Sequence, residues 1–306
     1  MIPQLSVIIP TYKRSDSLEK LIDCLNEQKN VLLEIIIVDQ NKAGFFTGSL
    51  ALKLSKLIHL KQSCPNASLA RNTGFKKANA PYILFLDDDL VPDTSFCFNG
   101  ISVFLKFPLI KSFIPLVFSE EGKKLAYNNS KRKFLKYYPE NHEIFSITDS
   151  MSAAVFFERT YFFLTGGFDV HLFDFAKTSE DHEFFLRMKR KKMLLWFVPF
   201  VEIFHDDKIA GGCELRTSGY WETRKKCIRA MAYRHRIHKS PPGNLSISDL
   251  IQLVHSSVLN KKVISSGILN IVKEINLLLD SIKQSRYFFI EHKKQYSTTS
   301  VGFIGE

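Results

Sequence analysis

The segment that most constrains the fold is Tyr82–Asp89, a five-residue apolar run followed by three consecutive aspartates. Pro81 and Pro92 bound it, and an unbroken apolar run of this length is typical of a parallel strand buried on both faces. Ligands of open α/β sheets bind beyond the carboxyl ends of such strands. Two carboxylates about 4 Å apart repel by roughly 4 kcal/mol at an effective dielectric constant near 20. We therefore expect a cation here, although a solvated loop or helix cap also explains the triplet taken alone.

Strand-like and helix-like segments alternate along the first 92 residues. We predict strands over Leu5–Pro10, Leu33–Asp39 and Ile58–Lys61, a helix after an Asp16–Glu19 capping box, and helices over Leu50–Leu57 and Ser68–Ala78, the last opened by Asn66 or Ser68. This alternation implies right-handed βαβ units and an α/β fold with a mostly parallel central sheet flanked by helices.

The rest of the chain has weaker patterns. We predict strands over Phe113–Phe118, Ala153–Phe157, Leu194–Val198 and Val201–His205, an exposed loop over Glu120–Glu143 and a helix over Asp181–Lys191. Beyond Gly211 and Gly212 the apolar spacing is helical, with one apolar stripe ending at Val258 and another from Ile268 to Ile282.

The composition indicates a globular protein of a reducing compartment. The 306 residues are 45% apolar, and the five cysteines form no C-x-x-C pair, so neither a disulfide framework nor a zinc knuckle is expected. The N-terminus enters a strand at once, without a signal peptide, and no segment approaches the ~20 apolar residues that span a bilayer. We therefore expect a cytoplasmic protein.

The net charge of +11 is unevenly distributed. Residues 224–239 contain seven Lys or Arg and no Asp or Glu. Such a block attracts anionic membrane, phosphate or nucleic acid, and a solvated helix face explains it equally well.

Two of the predicted strands end in carboxylates, at Asp39 and at Asp87–Asp89, and the first ends at the polar segment 10–14. Because parallel strand ends share one sheet edge, we expect these groups to form a nucleotide site. Asp39 would hold the base or ribose, and Tyr12 would stack on it. A diphosphate would reach Asp89 through Mg²⁺ or Mn²⁺, which prefer carboxylate and phosphate oxygens.

Six segments in sequence resemble the family 2 glycosyltransferases, inverting enzymes with the GT-A fold. The likeness covers roughly residues 4 to 212 and is carried by VIIPTYKR (7–14), IIVD (36–39), LARNTG (69–74), FLDDDLVP (85–92), GGFD (166–169) and SEDHEFFLR (179–187).

The resemblance implies roles for individual residues. Nucleotide contacts fall on Pro10, Thr11, Tyr12, Arg14, Asp39 and Arg71; Asp89 is the expected metal ligand, with Asp88 facing the ribose, Asp87 supporting it and His205 as a further ligand. His182 and Glu183 are expected on the acceptor side or on a helix face, and Gly166 and Gly167 in an acceptor-side turn. A helix terminus or an ordinary turn also explains several of these residues.

Asp181, in the acidic pair with Glu180, matches the general base of the family. The acceptor hydroxyl must lose a proton as it attacks the anomeric carbon opposite the departing nucleoside diphosphate. A positioned carboxylate contributes about 10²–10⁴-fold to such a step. A helix N-terminus also favours acidic residues, and both interpretations hold together.

We expect a catalytic domain over residues 1–215, with a nucleotide-binding half of about 1–92 and an acceptor half of about 93–215, and a basic helical extension over 216–306.

The expected cofactor is Mn²⁺ or Mg²⁺. The expected co-substrate is a nucleotide-sugar donor, UDP favoured and GDP and dTDP open, and the acceptor is a saccharide or lipid-linked saccharide. Residues 216–290 would touch the inner face of the membrane or pack against the catalytic domain or a second subunit. The alternatives are a sugar-phosphate nucleotidyltransferase, which usually has a Gly-rich loop after the first strand, and a nucleic-acid-binding protein that uses residues 224–239.

Overall fold

A nine-stranded sheet organises the described part of the chain. The computed structural model describes residues 2–42, 57–118, 143–148, 150–170, 180–206, 251, 254–255 and 257–291. The strands are β1 (Leu5–Thr11), β2 (Leu33–Asp39), β3 (Leu57–Lys61), β4 (Tyr82–Leu86), β5 (Leu90–Val91), β6 (Ser112–Phe118), β7 (Phe145–Ile147), β8 (Ala154–Glu158) and β9 (Leu195–His205). The helices are α1 (Ser15–Asn26), α2 (Ala67–Lys77), α3 (Phe96–Lys106), α4 (Arg159–Thr165), α5 (Glu180–Arg190), α6 (Lys261–Ile264) and α7 (Ile268–Glu291).

The strand order is β3-β2-β1-β4-β8-β6-β9-β5, and β7 pairs with β9. The expected parallel arrangement is confirmed for β3, β2, β1 and β4. Beyond β4, four of the five pairings in the described residues are antiparallel, and only β6 and β9 run parallel. The strands β1 to β4 therefore have the expected parallel geometry, while the strands beyond β4 form a mixed sheet.

The strand β9 corrects the sequence interpretation of two short strands around Pro199. It is one strand whose register against β6 shifts between Pro115 and Leu116, which pair with Val198 and Glu202. Pro199 lies among the three residues between these partners, in a bulge of the kind where sheets tolerate proline.

The start of α1 and the helix α3 also differ from expectation. The N-cap residue of α1 is Arg14, without a side-chain cap, so the Asp16–Glu19 capping box is not formed. The unpredicted α3 has a buried stripe that includes Phe96, Ile101 and Phe104, but its exposed Phe98 and Leu105 obscure this one-sided pattern in the sequence. By contrast, Asn66 caps α2 as expected, accepting from the backbone N–H of Leu69 at 2.9 Å.

Both faces of the sheet are buried. One face packs mainly aliphatic residues against α1 and α3, and the other is dominated by phenylalanines, among them Phe85, Phe157, Phe162, Phe168 and Phe184. The helix α2 approaches β1 closely, because a Cβ at Gly74 would lie 2.4 Å from Ile8 Cγ2. This close approach sets the position of α2 over the strands that end at the site.

The helical pattern expected over Ile268–Ile282 is confirmed by α7. Leu278 packs in a small core with Val258, whereas Ile268, Val272 and Leu279 stay exposed. No helix in the described ranges is long and apolar enough to cross a membrane. The predicted Leu50–Leu57 helix, the 120–143 loop and the basic 224–239 block lie, apart from Leu57 and Glu143, outside the described residues.

Candidate active site

The ends of β1, β2 and β4 lie side by side at one edge of the sheet, as the sequence predicts. Thr11 pairs with Asp39 at the ends of β1 and β2, and β4 runs parallel to β1 on its other side. The Thr11 Oγ1 hydroxyl donates to Asp88 Oδ2 at 2.7 Å, which joins the first strand end to the aspartate triplet. The structure thus brings the predicted nucleotide residues and the triplet together.

Asp39 is fully buried and surrounded by donors. Its Oδ1 accepts from the backbone N–H and the Nδ2 amide of Asn41, both at 2.9 Å, and its Oδ2 contacts Lys61 Nζ and lies 3.2 Å from His59 Nε2. Burial alone would raise the pKa of Asp39, but the hydrogen bonds from Lys61 and Asn41 outweigh burial and lower it. Asp39 is therefore an ionised acceptor, and a nucleotide that uses it has to replace one of these donors.

Pro10 and Tyr12 differ in their exposure to solvent. Pro10 is buried within β1, opposite Val38, whereas the ring of Tyr12 is partly exposed. Lys13 Nζ lies 5.1 Å from the centroid of that ring, and the Lys13 backbone N–H donates to Asn41 Oδ1 at 3.0 Å. The stacking role of Tyr12 stays a prediction, and Pro10 supports the strand end from inside the sheet.

Asp88 and Asp89 share the guanidinium of Arg14. One nitrogen, Arg14 Nη1, lies 3.0 Å from Asp88 Oδ1 and 2.7 Å from Asp89 Oδ2. Burial raises the pKa of Asp88 to about 6, even though Arg14 and Thr11 act in the opposite direction. Burial also acts to raise the pKa of Asp89, but His205 and Arg14 outweigh it, so that this pKa is lowered.

His205 reaches the triplet through the pairing of β5 with β9. Leu90, directly after Asp89, pairs antiparallel with His205, and the Asp206 backbone N–H donates to the Asp89 carbonyl at 3.0 Å. His205 Nε2 then lies 3.5 Å from Asp89 Oδ2. The sequence suggested this partner, but only the mixed half of the sheet places it.

The Asp89–His205 pair fits a divalent cation. Asp89 Oδ1 is buried and accepts no hydrogen bond within the described part of the chain, so a carboxylate oxygen remains for a metal. Across those same residues, no group of three or more His, Cys, Asp or Glu side chains is arranged to hold a metal alone. Phosphate oxygens and water therefore have to complete the coordination, which suits Mg²⁺ or Mn²⁺ bound together with a diphosphate.

Arg71 connects the triplet to the acidic pair at the start of α5. Its side chain is 4% exposed, and its Nη2 lies 2.8 Å from Asp87 Oδ1 while its Nη1 lies 3.5 Å from Glu180 Oε1. Burial would lower the pKa of Arg71, but Asp87, Asp181 and Glu180 raise it. In this structure Arg71 contacts protein carboxylates, whereas the sequence suggested a contact with the nucleotide.

The two carboxyls beside Arg71 are poised to hold protons near neutral pH. Burial raises the pKa of Asp87 to about 7, against the opposing charge of Arg71 and with the help of the other aspartates. Burial, followed by the charge of Asp181, raises the pKa of Glu180 to about 8. Such shifts collect at functional sites, although structural ion pairs produce them too.

Asp181 lies in the first turn of α5, where the helix dipole favours a carboxylate. Its Oδ2 accepts from the Ser152 backbone N–H at 3.2 Å. Its charge acts on both Arg71 and Asp87, so Asp181 belongs to the same cluster as the triplet. Asp181 therefore lies both at a helix terminus and beside the triplet, and its role as a base stays a prediction.

Glu183 lies on a face of the helix α5, which is one of the two placements expected for it. It is buried, and Arg187 donates to its two oxygens at 2.9 and 3.0 Å. Arg187 also donates to the carbonyls of Thr165 and Gly167. Gly166 and Gly167 have φ values of 87° and 69°, so the turn requires glycine for backbone reasons.

Sequence reasoning missed His59 and Lys61, the donors to Asp39. Both lie on β3, where Lys61 pairs with Asp39 and His59 pairs with Ile37. The signal was available in the alternation of His59 and Lys61 on the predicted third strand, since alternate strand residues share one face.

The architecture is that of the GT-A class of α/β folds. The solved structure of GalNAc-T7 with UDP, GalNAc and Mn²⁺ matches this chain with a TM-score of 0.55 at 17% identity, covering 83% of this chain and 54% of that one. This similarity concerns the fold alone.

Sequence comparison then defines the family. The family described as Glycosyl transferase family 2 matches residues 6–162, and the chain belongs to it. The chain is similar to the amylovoran biosynthesis glycosyltransferase AmsB of Erwinia amylovora, with 34% identity over 96 residues, and to the GalNAc(5)-diNAcBac-PP-undecaprenol beta-1,3-glucosyltransferase of Campylobacter jejuni subsp. jejuni serotype O:2, with 36% over 95 residues. Each similarity covers 28% of this chain and 30% of the relative.

Proposed function

We propose that this protein is an inverting glycosyltransferase that moves one sugar from a nucleotide-sugar donor, with UDP favoured, to a hydroxyl acceptor. The observation that carries the proposal is the position of buried Arg71, which contacts Asp87 of the triplet and Glu180 of the acidic pair. The aspartate triplet, which suits a metal-bound diphosphate, thus belongs to the same cluster as Asp181, which suits proton removal.

Asp181 is the proposed general base. The acceptor oxygen forms a bond to the anomeric carbon while the bond from that carbon to the diphosphate oxygen breaks, and the hydroxyl proton passes to the Asp181 carboxylate. The Ser152 N–H, 3.2 Å from Asp181 Oδ2, orients the carboxylate for this transfer. One displacement inverts the anomeric centre and requires no covalent enzyme intermediate.

Asp89 and His205 would hold Mn²⁺ or Mg²⁺. When bound, the metal supplies neutralisation of the charge that develops on the departing diphosphate. Asp89 Oδ1 supports this assignment, because it is buried and accepts no hydrogen bond from the described residues. The structure of GalNAc-T7, which contains UDP and Mn²⁺, supports it as well.

The nucleoside would lie against Thr11, Tyr12 and Asp39, with Pro10 shaping the strand end. Tyr12 offers a partly exposed ring, and Asp39 offers an ionised acceptor. Asp87 and Asp88 would orient the ribose and sugar side of the donor. These roles suit a uridine diphosphate, while GDP and dTDP stay as alternatives for the same chemistry.

We infer that the acceptor is a saccharide, free or lipid-linked, in the synthesis of a surface polysaccharide or glycolipid. One similar protein is named for amylovoran biosynthesis, and another for a saccharide on diphospho-undecaprenol. Catalysis would occupy residues 1–215 in the cytoplasm, with the basic residues 216–290 contacting the inner membrane face.

The proposal is tested with Asp181→Asn and with a panel of UDP-, GDP- and dTDP-sugars in Mn²⁺. We expect Asp181→Asn to bind UDP as the wild type does and to lose transfer and donor hydrolysis by about 10²–10⁴-fold. Asp16→Asn, an exposed aspartate in the first turn of α1, is the matched control and should keep the wild-type rate. Turnover of Asp181→Asn at the wild-type rate would refute the base assignment. Full activity in excess chelator would refute the metal.

A further inference from the structure

Arg14 and His205 both approach one oxygen of Asp89, the proposed metal ligand. Arg14 Nη1 lies 2.7 Å from Asp89 Oδ2, the same oxygen that His205 Nε2 approaches at 3.5 Å. A divalent ion bound by Asp89 and His205 would therefore meet the guanidinium at close range. Two cations this close in a partly buried site repel more strongly than one charge-assisted hydrogen bond stabilises.

The backbone of Arg14 is anchored independently of its side chain. The Arg14 carbonyl accepts from the Leu18 N–H at 3.1 Å and from Ser17 Oγ at 3.3 Å, which hold it at the start of α1. The guanidinium can thus leave the aspartates without unwinding the helix. Asp88 would keep the Thr11 hydroxyl as a partner, at 2.7 Å.

We propose that Arg14 is a positioning residue that acts as an internal counter-cation: it holds Asp88 and Asp89 in the donor-free protein, and a divalent metal displaces it from both aspartates. This inference rests on the metal site of the proposed function. The displaced guanidinium needs a new anionic partner, and the diphosphate of an incoming nucleotide supplies one. Metal and nucleotide therefore strengthen each other's binding through Arg14.

Binding of Mn²⁺ alone to the full-length, donor-free protein tests the inference, with free Mn²⁺ followed by electron paramagnetic resonance. Arg14→Met should bind Mn²⁺ about ten- to hundredfold more tightly than the wild type, since the metal no longer has to break a charge-assisted hydrogen bond. Arg14→Lys, which keeps the charge without the planar fork, should tighten binding by a smaller factor. Lys106→Met, the matched loss of one positive charge in the last turn of α3, should bind as the wild type does.

UDP provides a second readout that a merely structural role would not change. Adding UDP should raise Mn²⁺ affinity more in the wild type than in Arg14→Met, because coupling between two ligands is reciprocal and part of it passes through Arg14. Equal or weaker Mn²⁺ binding by folded Arg14→Met, or by Arg14→Lys if the Met variant does not fold, would overturn the inference.

Asp89→Asn separates this inference from the proposed function. If Asp89→Asn abolishes Mn²⁺ binding but Arg14→Met does not tighten it, the role of Arg14 is wrong and the metal site stands. If Mn²⁺ binding survives in the double variant Arg14→Met, Asp89→Asn, the metal site itself is wrong and the inference falls with it.

Discussion

Replacing Arg71 with Met tests whether one guanidinium holds the two acidic parts of the site together. Arg71 is 4% exposed, lies 2.8 Å from Asp87 and 3.5 Å from Glu180, and stacks 5.2 Å from the Phe168 ring centroid. Removing one partner of a buried ion pair costs about 3–5 kcal/mol, because the remaining charge stays buried. The Asp87 side chain is 31% exposed, and water can partly replace its partner. We therefore expect the free energy of unfolding to fall by about 3 kcal/mol, the lower end of that range.

Urea unfolding of the full-length protein at pH 9, above the pKa values of about 7 for Asp87 and about 8 for Glu180, measures this change. Lys111→Met is the matched control, because Lys111 pairs with Glu158 at the surface, where side chains are 43% and 31% exposed and the loss should stay within about 1 kcal/mol. Arg71→Lys should fall between the two, since lysine keeps the charge but loses the two-pronged geometry. If Arg71→Met were no less stable than Lys111→Met, the account of Arg71 as the bridge would be refuted.

Two further predictions concern stability. The pKa of Glu180 is raised to about 8 in the folded protein, from 4.5 in the unfolded chain. The folded state therefore binds the Glu180 proton more strongly than the unfolded state does. The stability that this proton contributes is full below pH 4.5 and is lost as the pH rises through 8. Glu180→Gln should match the wild type near pH 4.5 and exceed its stability near pH 9 in urea titrations, and a pH-independent difference would contradict this. Gly74→Ala should destabilise by about 1–3 kcal/mol, because its Cβ would lie 2.4 Å from Ile8 Cγ2. Greater stability of this variant, as helix propensity alone implies, would show that α2 does not pack as closely on β1.

Local patterns were enough to predict the first half of the fold. The bounds of β2, Leu33–Asp39, agree with the prediction, and Asn66 caps α2, because apolar runs and capping side chains act over a few residues. The errors arose where distant contacts override local pattern. Pro199 ends no strand, since the bulge against β6 accommodates it.

The order of motifs along the chain by itself determined the family, the sheet edge at which the aspartates gather, and the residue types available for a metal and for a base. Tertiary structure alone decided which of these residues touch. The β5–β9 pairing sets His205 beside Asp89, and Arg71 joins Asp87 to Glu180, 93 positions away (180 less 87). Local spacing contains no information about such contacts, because sheet pairing and side-chain burial depend on parts of the chain that meet only after folding.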